Sequence, residues 1–213
     1  IGSAKPPKEI LEKYKHHLVD SADPENIFSV KDFYDQAYRI VLQAHSNNRI
    51  PLLVGGTMMY FNAVFKGIND IPEGNEAIRE ELQQELDNKG VDKLFNDLKE
   101  IDPESAKTIK QNDKQRIMRA WEVFTISGTK ISDFKKEDTE NIFEEFEFIN
   151  LGIFPSDREI LQARIRERIV EMINMGLIRE AQEIIKLDNI AKNHPALNSI
   201  NYKEAIQVIN GEL

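Results

Sequence analysis

Two glycines and a threonine, Gly55-Gly56-Thr57, stand directly after the apolar run Ile50-Pro51-Leu52-Leu53-Val54. In open α/β sheets ligands sit beyond the carboxyl ends of strands. Glycines there let the backbone approach a ligand, a following helix offers its N-terminus to an anion, and the threonine adds a hydroxyl. The same residues also make a tight strand-to-helix turn that binds nothing, and the local pattern leaves the two readings level. A second group is the arginine series Arg158, Arg164, Arg166, Arg168 and Arg179. Arg164 and Arg168 are four apart and share a helix face. Forked guanidinium donors suit diphosphate oxygens. Glu167 and Glu171 are ready partners for ordinary surface ion pairs, which is the commoner use of such a face. The third group is basic: Lys107, Lys110, Lys114, Arg116 and Arg119 against Asp113, a local sum of +4. Residues 133–147 hold seven acids and two bases, a sum of -5. That segregation fits either a phosphate-backbone contact or a solvated helix.

Other chemistries find no support. The four histidines, 16, 17, 45 and 194, lack metal-ligand spacing, so no metal site is expected within the chain. There is no cysteine, which removes disulfides, thiolate sites and a thiol nucleophile, and suits a reducing cytoplasm. Neither a G-x-S-x-G elbow nor a G-x-x-x-x-G-K-[ST] phosphate loop occurs.

Positioning these groups falls to 213 residues, enough for one domain or one domain with an insertion. The composition, 40% hydrophobic and 31% charged, is that of a folded chain. A net charge of -9 argues against a protein that coats nucleic acid, while leaving room for a local basic patch. No apolar run approaches the roughly 18–20 residues of a membrane helix, and no secretory signal opens the chain. Ile1-Gly2-Ser3-Ala4-Lys5-Pro6 begins abruptly, as the middle of something longer would.

Residues 16–20 read as a short strand ending in Asp20. Ser29 caps a helix with Asp32 completing a capping box. Residues 50–54, apolar throughout, read as a strand buried on both faces, followed by a helix from Met58. This alternation predicts an α/β fold with a parallel sheet. From Pro72 to about residue 136 only helical patterns occur: Glu76–Lys89, Val91–Ile101, a helix from Asp102-Pro103, and 113–127 ended by Gly128. Residues 143–154 read as one long strand or a strand pair. A long helix over 157–187, breaking at Gly176, carries a core stripe of Leu161, Ile165, Ile169, Met172 and Ile173. The last element is a short helix within 198–210.

Taken jointly and in order, several stretches resemble the tRNA dimethylallyltransferase (tRNA isopentenyltransferase) family. They are Ile1-Gly2-Ser3-Ala4-Lys5-Pro6, His16-His17-Leu18-Val19-Asp20 and the run from Ile50 to Tyr60 through Gly55-Gly56-Thr57. Asn112-Asp113-Lys114-Gln115-Arg116-Ile117-Met118-Arg119-Ala120 with Glu122-Val123, and Arg164-Ile165-Arg166-Glu167-Arg168, complete the set.

The resemblance implies a P-loop kinase-like parallel sheet core, residues 1–71 with 138–213, on the prenyl diphosphate side. It implies an all-helical insertion, 72–137, that grips the tRNA anticodon stem-loop. The implied reaction moves a dimethylallyl group from dimethylallyl diphosphate to N6 of the adenine beside the anticodon, with the base flipped out of its stack. By the resemblance Arg168 is the catalytic diphosphate arginine, with Gly55, Gly56 and Arg164 lining the pocket. Thr57, Arg79, Gln115, Arg116, Ile117, Met118 and Arg119 touch the tRNA. So do Ile200, Asn201, Tyr202 and Lys203; the family has Gly where this chain has Asn201, which tolerates a left-handed backbone. Mg2+, nucleotide or ATP binding, a cytoplasmic location and a monomeric state are implied as well. The family's phosphate loop and its Asp-Ser general base lie upstream of the stretch matching Ile1, so the expectation is a chain cut at both ends, with its C-terminal tail also absent. Asp20 is not promoted to the base. The alternative is an RNA-binding fragment without catalysis; a nucleotide kinase is disfavoured by the long basic helical insertion.

Overall fold

The structure is a computed structural model that describes residues 1–23, 25–134, 141–187, 190, 194 and 196–213. Among these residues eleven helices follow one another: α1 (Lys8–Lys13), α2 (Val30–Ser46), α3 (Met58–Lys66), α4 (Glu76–Lys89), α5 (Val91–Ile101) and α6 (Pro103–Thr108), then α7 (Lys114–Ser127), α8 (Ile131–Phe134), α9 (Arg158–Asn174), α10 (Leu177–Ile185) and α11 (Tyr202–Asn210).

No described residue belongs to a strand, so the expected α/β class with a P-loop kinase-like parallel sheet is overturned. Residues 50–54 and 147–154 are irregular, and most of their apolar side chains stand in solvent: Ile50 is 95% exposed and Ile153 97%. Apolar character alone does not make a strand. Its N–H and C=O groups must meet a neighbouring strand, and none is among the described residues. Residues 16–20 are excluded from a strand more directly, since Leu18 and Asp20 have φ of 57° and 54°. Asp20 is bonded instead by Lys5 Nζ, 2.7 Å from Oδ2.

The local helix signals hold. At the start of α2 the Asp32 N–H donates to Ser29 Oγ (3.1 Å) and the Ser29 N–H donates to Asp32 Oδ2 (2.8 Å), a closed capping box. Gly128, at φ 69°, ends α7 in the left-handed conformation. Gly176, at φ 103°, divides the expected long helix into α9 and α10.

The described chain forms two compact units, residues 61–145 and residues 1–60 with 146–213. The expected domain boundary at 137/138 lies outside the described residues. In the first unit α4 to α8 bury Leu86, Leu94, Leu98, Ile117, Val123 and Ile131 in one cluster. Each such side chain contributes about 1.5–3 kcal/mol. Buried Asp102 ties two helix starts together: Oδ1 accepts from the Ser105 N–H (3.0 Å) at α6, and Oδ2 accepts from the Ser132 N–H (3.1 Å) in α8. In the second unit Met172, Leu177, Ala181 and Ala205 form a small core among α9, α10 and α11. Of the stripe expected along α9 only Met172 is buried; Leu161, Ile165, Ile169 and Ile173 are exposed. A stripe defines a face, and among the described residues this face is packed at Met172, near its C-terminal end.

Candidate functional site

In the unit 61–145, Asn75 caps α4, its Oδ1 accepting from the Ile78 N–H at 3.2 Å. One turn in, Arg79 lies three residues before buried Leu82, on the side that packs against α7. Arg119 and Glu122 are three apart on α7 and therefore adjacent. Glu122 is 2% exposed. Its Oε1 accepts from Arg79 Nε (2.7 Å) and from the Asn75 N–H (2.9 Å). Its Oε2 accepts from Arg119 Nη1 (2.6 Å), and Arg119 Nη2 donates onward to the Pro72 carbonyl (2.6 Å). Burial by itself would raise the Glu122 carboxyl; the bonds from Arg119 and the Asn75 N–H, with the charges of both arginines, outweigh it and hold the group below the usual carboxylate range.

The arrangement sets two guanidiniums against one carboxylate and keeps a net positive charge at the surface. The arginine side chains remain 39% and 33% exposed. Arg79 spends only Nε on Glu122, and its Nη1 and Nη2 donors bond to no described residue. Gly74 makes room for this. A Cβ there would overlap Arg79 Nη2 and stand 2.9 Å from Glu122 Oε1.

The stretch 115–119 is divided by the helix period. Gln115 and Arg116 are exposed, and Arg116 Nε stands 3.5 Å from Asp113 Oδ2. Ile117 is fully buried in the core and Met118 packs partly against it. Arg79 and Arg119, 40 positions apart in sequence, are brought onto one acid. Glu122 is the member sequence reasoning missed. Its spacing from Arg119 was visible, but its burial depends on where α4 packs.

In the other unit Gly55, Gly56 and Thr57 are exposed ahead of α3, and a Cβ on Gly56 would meet nothing within 4 Å. Arg164 and Arg168 share a face of α9 and line a surface recess of about 370 Å³ with Leu161, Ile165, Glu167 and Glu171. Neither arginine forms an ion pair with a described residue, so the surface pairs with Glu167 and Glu171 are not made. Thr57 is not among the residues lining that recess. Ile200 and Lys203 are exposed, while Tyr202 is half-buried against Gly2. Burial, then the Glu180 charge, push the Tyr202 hydroxyl above its ordinary value. Asn201 adopts φ 73°, and its Nδ2 donates to the Gly2 carbonyl at 2.8 Å. Among the described residues no cluster of three His, Asp or Glu side chains could hold a metal ion, and no helix is long and apolar enough to cross a membrane.

The sequence model of the family described as IPP transferase matches residues 1–213. A tRNA dimethylallyltransferase of Hydrogenovibrio crunogenus is 35% identical over 205 residues, 96% of this chain and 63% of the relative. The one from Ruthia magnifica is 38% identical over 213 residues, all of this chain and 69% of the relative. The crystal structure of the full-length tRNA isopentenylpyrophosphate transferase of Bacillus halodurans matches with a TM-score of 0.55 at 30% identity, over 100% of this chain and 64% of that one. The chain thus spans about two thirds of the length of these relatives.

Proposed function

This chain belongs to the IPP transferase family, and from that membership we propose that the protein transfers a dimethylallyl group from dimethylallyl diphosphate to a tRNA, at N6 of the adenine beside the anticodon. The observation that carries the reading is the family match over every residue of the chain. In the reaction the adenine amino nitrogen bonds to the allylic carbon as the carbon–oxygen bond to diphosphate breaks, and the nitrogen gives up a proton to a base. No described residue is assigned as that base; Asp20 is occupied by Lys5. The leaving diphosphate needs donors that strengthen as its charge develops. Arg168, with Arg164 one turn away, offers two unspent guanidiniums for it. Arg79, Arg116, Gln115 and Arg119 offer donors to the RNA backbone, which supports binding of the anticodon stem-loop by the unit 61–145. Mg2+ belongs to the same expectation; among the described residues no cluster of three His, Asp or Glu side chains stands ready for it, and no step is routed through the ion.

The test is incubation of the purified protein with a synthetic anticodon stem-loop and labelled dimethylallyl diphosphate. Label should enter the RNA at one adenine. Tight RNA binding with no transfer favours the non-catalytic alternative, and neither binding nor transfer removes the reading.

A further inference from the structure

Resting on that reading, we infer that Glu122 is a positioning residue for the RNA: it fixes Arg79 of α4 and Arg119 of α7 as one two-guanidinium clamp for a phosphodiester.

The geometry separates the cost from the use. Glu122 is the desolvated partner, 2% exposed, while the two arginine side chains it binds remain 39% and 33% exposed. A buried ion triad is a poor source of stability, since apolar side chains of similar volume serve folding as well or better. Apolar neighbours are at hand, as Ala120 and Val123 beside it on α7 are both core residues. What the carboxylate supplies, and an apolar side chain could not, is orientation. Free arginines lose several rotamers when they bind a phosphate; here much of that ordering is already done by Glu122 and, for Arg119, by the Pro72 carbonyl. Arg79 is held by its Nε edge, so its Nη pair remains free as the fork that phosphate oxygens accept. Arg116 lies three residues before Arg119, on the adjoining part of the α7 surface, and extends the same cationic strip.

The experiment is a double-mutant cycle on the purified protein, with a synthetic anticodon stem-loop as probe and prenyl transfer as second readout. Glu122→Gln keeps the shape and removes the charge. It should raise the RNA Kd and the KM for RNA by about tenfold while kcat and the KM for dimethylallyl diphosphate hold. In an Arg79→Ala/Arg119→Ala background the same substitution should add nothing, because no guanidinium is left to position. Glu122→Asp should recover part of the affinity. RNA affinity within about twofold of the parent, an equal loss in both backgrounds, or failure of Glu122→Gln to fold would each make Glu122 a structural residue and overturn the inference. If Arg79→Ala/Arg119→Ala binds RNA like the parent, the clamp itself is wrong. If the parent neither binds nor prenylates RNA, the functional reading fails first, and visibly so.

Discussion

Gly74→Ala is the most local test of the arginine cluster. The added methyl would overlap Arg79 Nη2 and stand 2.6 Å from Arg79 Cζ and 2.9 Å from Glu122 Oε1. The closest atoms end a flexible side chain that is 39% exposed, so Arg79 yields by swinging into solvent. The loss is the Arg79 Nε bond to Glu122. A hydrogen bond to a charged group is worth about 1.5–3 kcal/mol when sheltered. Solvent screening at this exposure reduces that to about 1 kcal/mol or less. Glu122 keeps Arg119 and the Asn75 N–H, so no bare buried charge results. Alanine also restricts the unfolded chain, returning about 0.4–1 kcal/mol. The net stability change is therefore within about 1 kcal/mol. RNA binding behaves differently, because a displaced Arg79 no longer meets a phosphate in register. Affinity should fall about five- to tenfold, and the slope of log Kd against log salt should drop by about one unit. Filter binding across a salt series reads both, and urea unfolding reads the first. Parent-like affinity and slope in a folded Gly74→Ala would refute the placement of Arg79. So would a loss of several kcal/mol in stability, since it would mean the methyl met something less yielding than a side-chain tip.

Three further outcomes follow from the same geometry. Glu122 and Asp102 are both held below their ordinary carboxylate values, the latter by N–H donors at two helix starts that outweigh its burial. The unfolded chain therefore binds more protons as acid is added; stability is full above the unfolded values near 4.5 and 3.8 and drains as pH falls through the lower folded ones, and urea midpoints should show a flatter acid limb in Asp102→Asn. Leu98→Ala should cost about 2–5 kcal/mol in urea unfolding, whereas Ile50→Ala and Ile153→Ala, at fully exposed positions, should stay within about 0.5 kcal/mol. Arg168→Ala, exposed and unpaired, should leave unfolding and RNA binding unchanged while transfer slows by about 100- to 1,000-fold, with single-turnover kinetics as the measurement.

What the sequence disclosed depended on how far each signal had to reach. Ser29 and Asp32, Asp102-Pro103, Gly128 and Gly176 act within one turn, and each begins or ends a helix where its chemistry requires. In the unit 61–145 the sequence marked the helices but not which side chains form their core; α4, α5 and α7 each carry apolar residues at helical spacing, and short connections fold them onto one another. The strands were misread for the converse reason. An apolar run such as residues 50–54 states a need for burial but not the partner that would satisfy it, and in this structure the need goes unmet. The stripe on α9 fails in the same way, with Leu161, Ile165 and Ile169 facing solvent beyond the reach of α10 and α11.

The candidate RNA site lies between these extremes. Arg116 and Arg119 stood out by charge, and Arg79 through resemblance. Their electrostatic state, however, is decided by an acid whose burial no pattern around it reveals. Glu122 stands three residues from Arg119, and the packing of α4 against α7 brings Arg79 and the Asn75 N–H onto its other oxygen. Leu86 of α4 packs in one core cluster with Ile117, Ala120 and Val123 of α7, which holds the two helices together beside the charges. Apolar burial thus sets the helix register, and the register sets which cations share a carboxylate. The orientation of the arginines is therefore a consequence of the core, and volume changes at Leu86 should reach the carboxylate that Arg79 and Arg119 share.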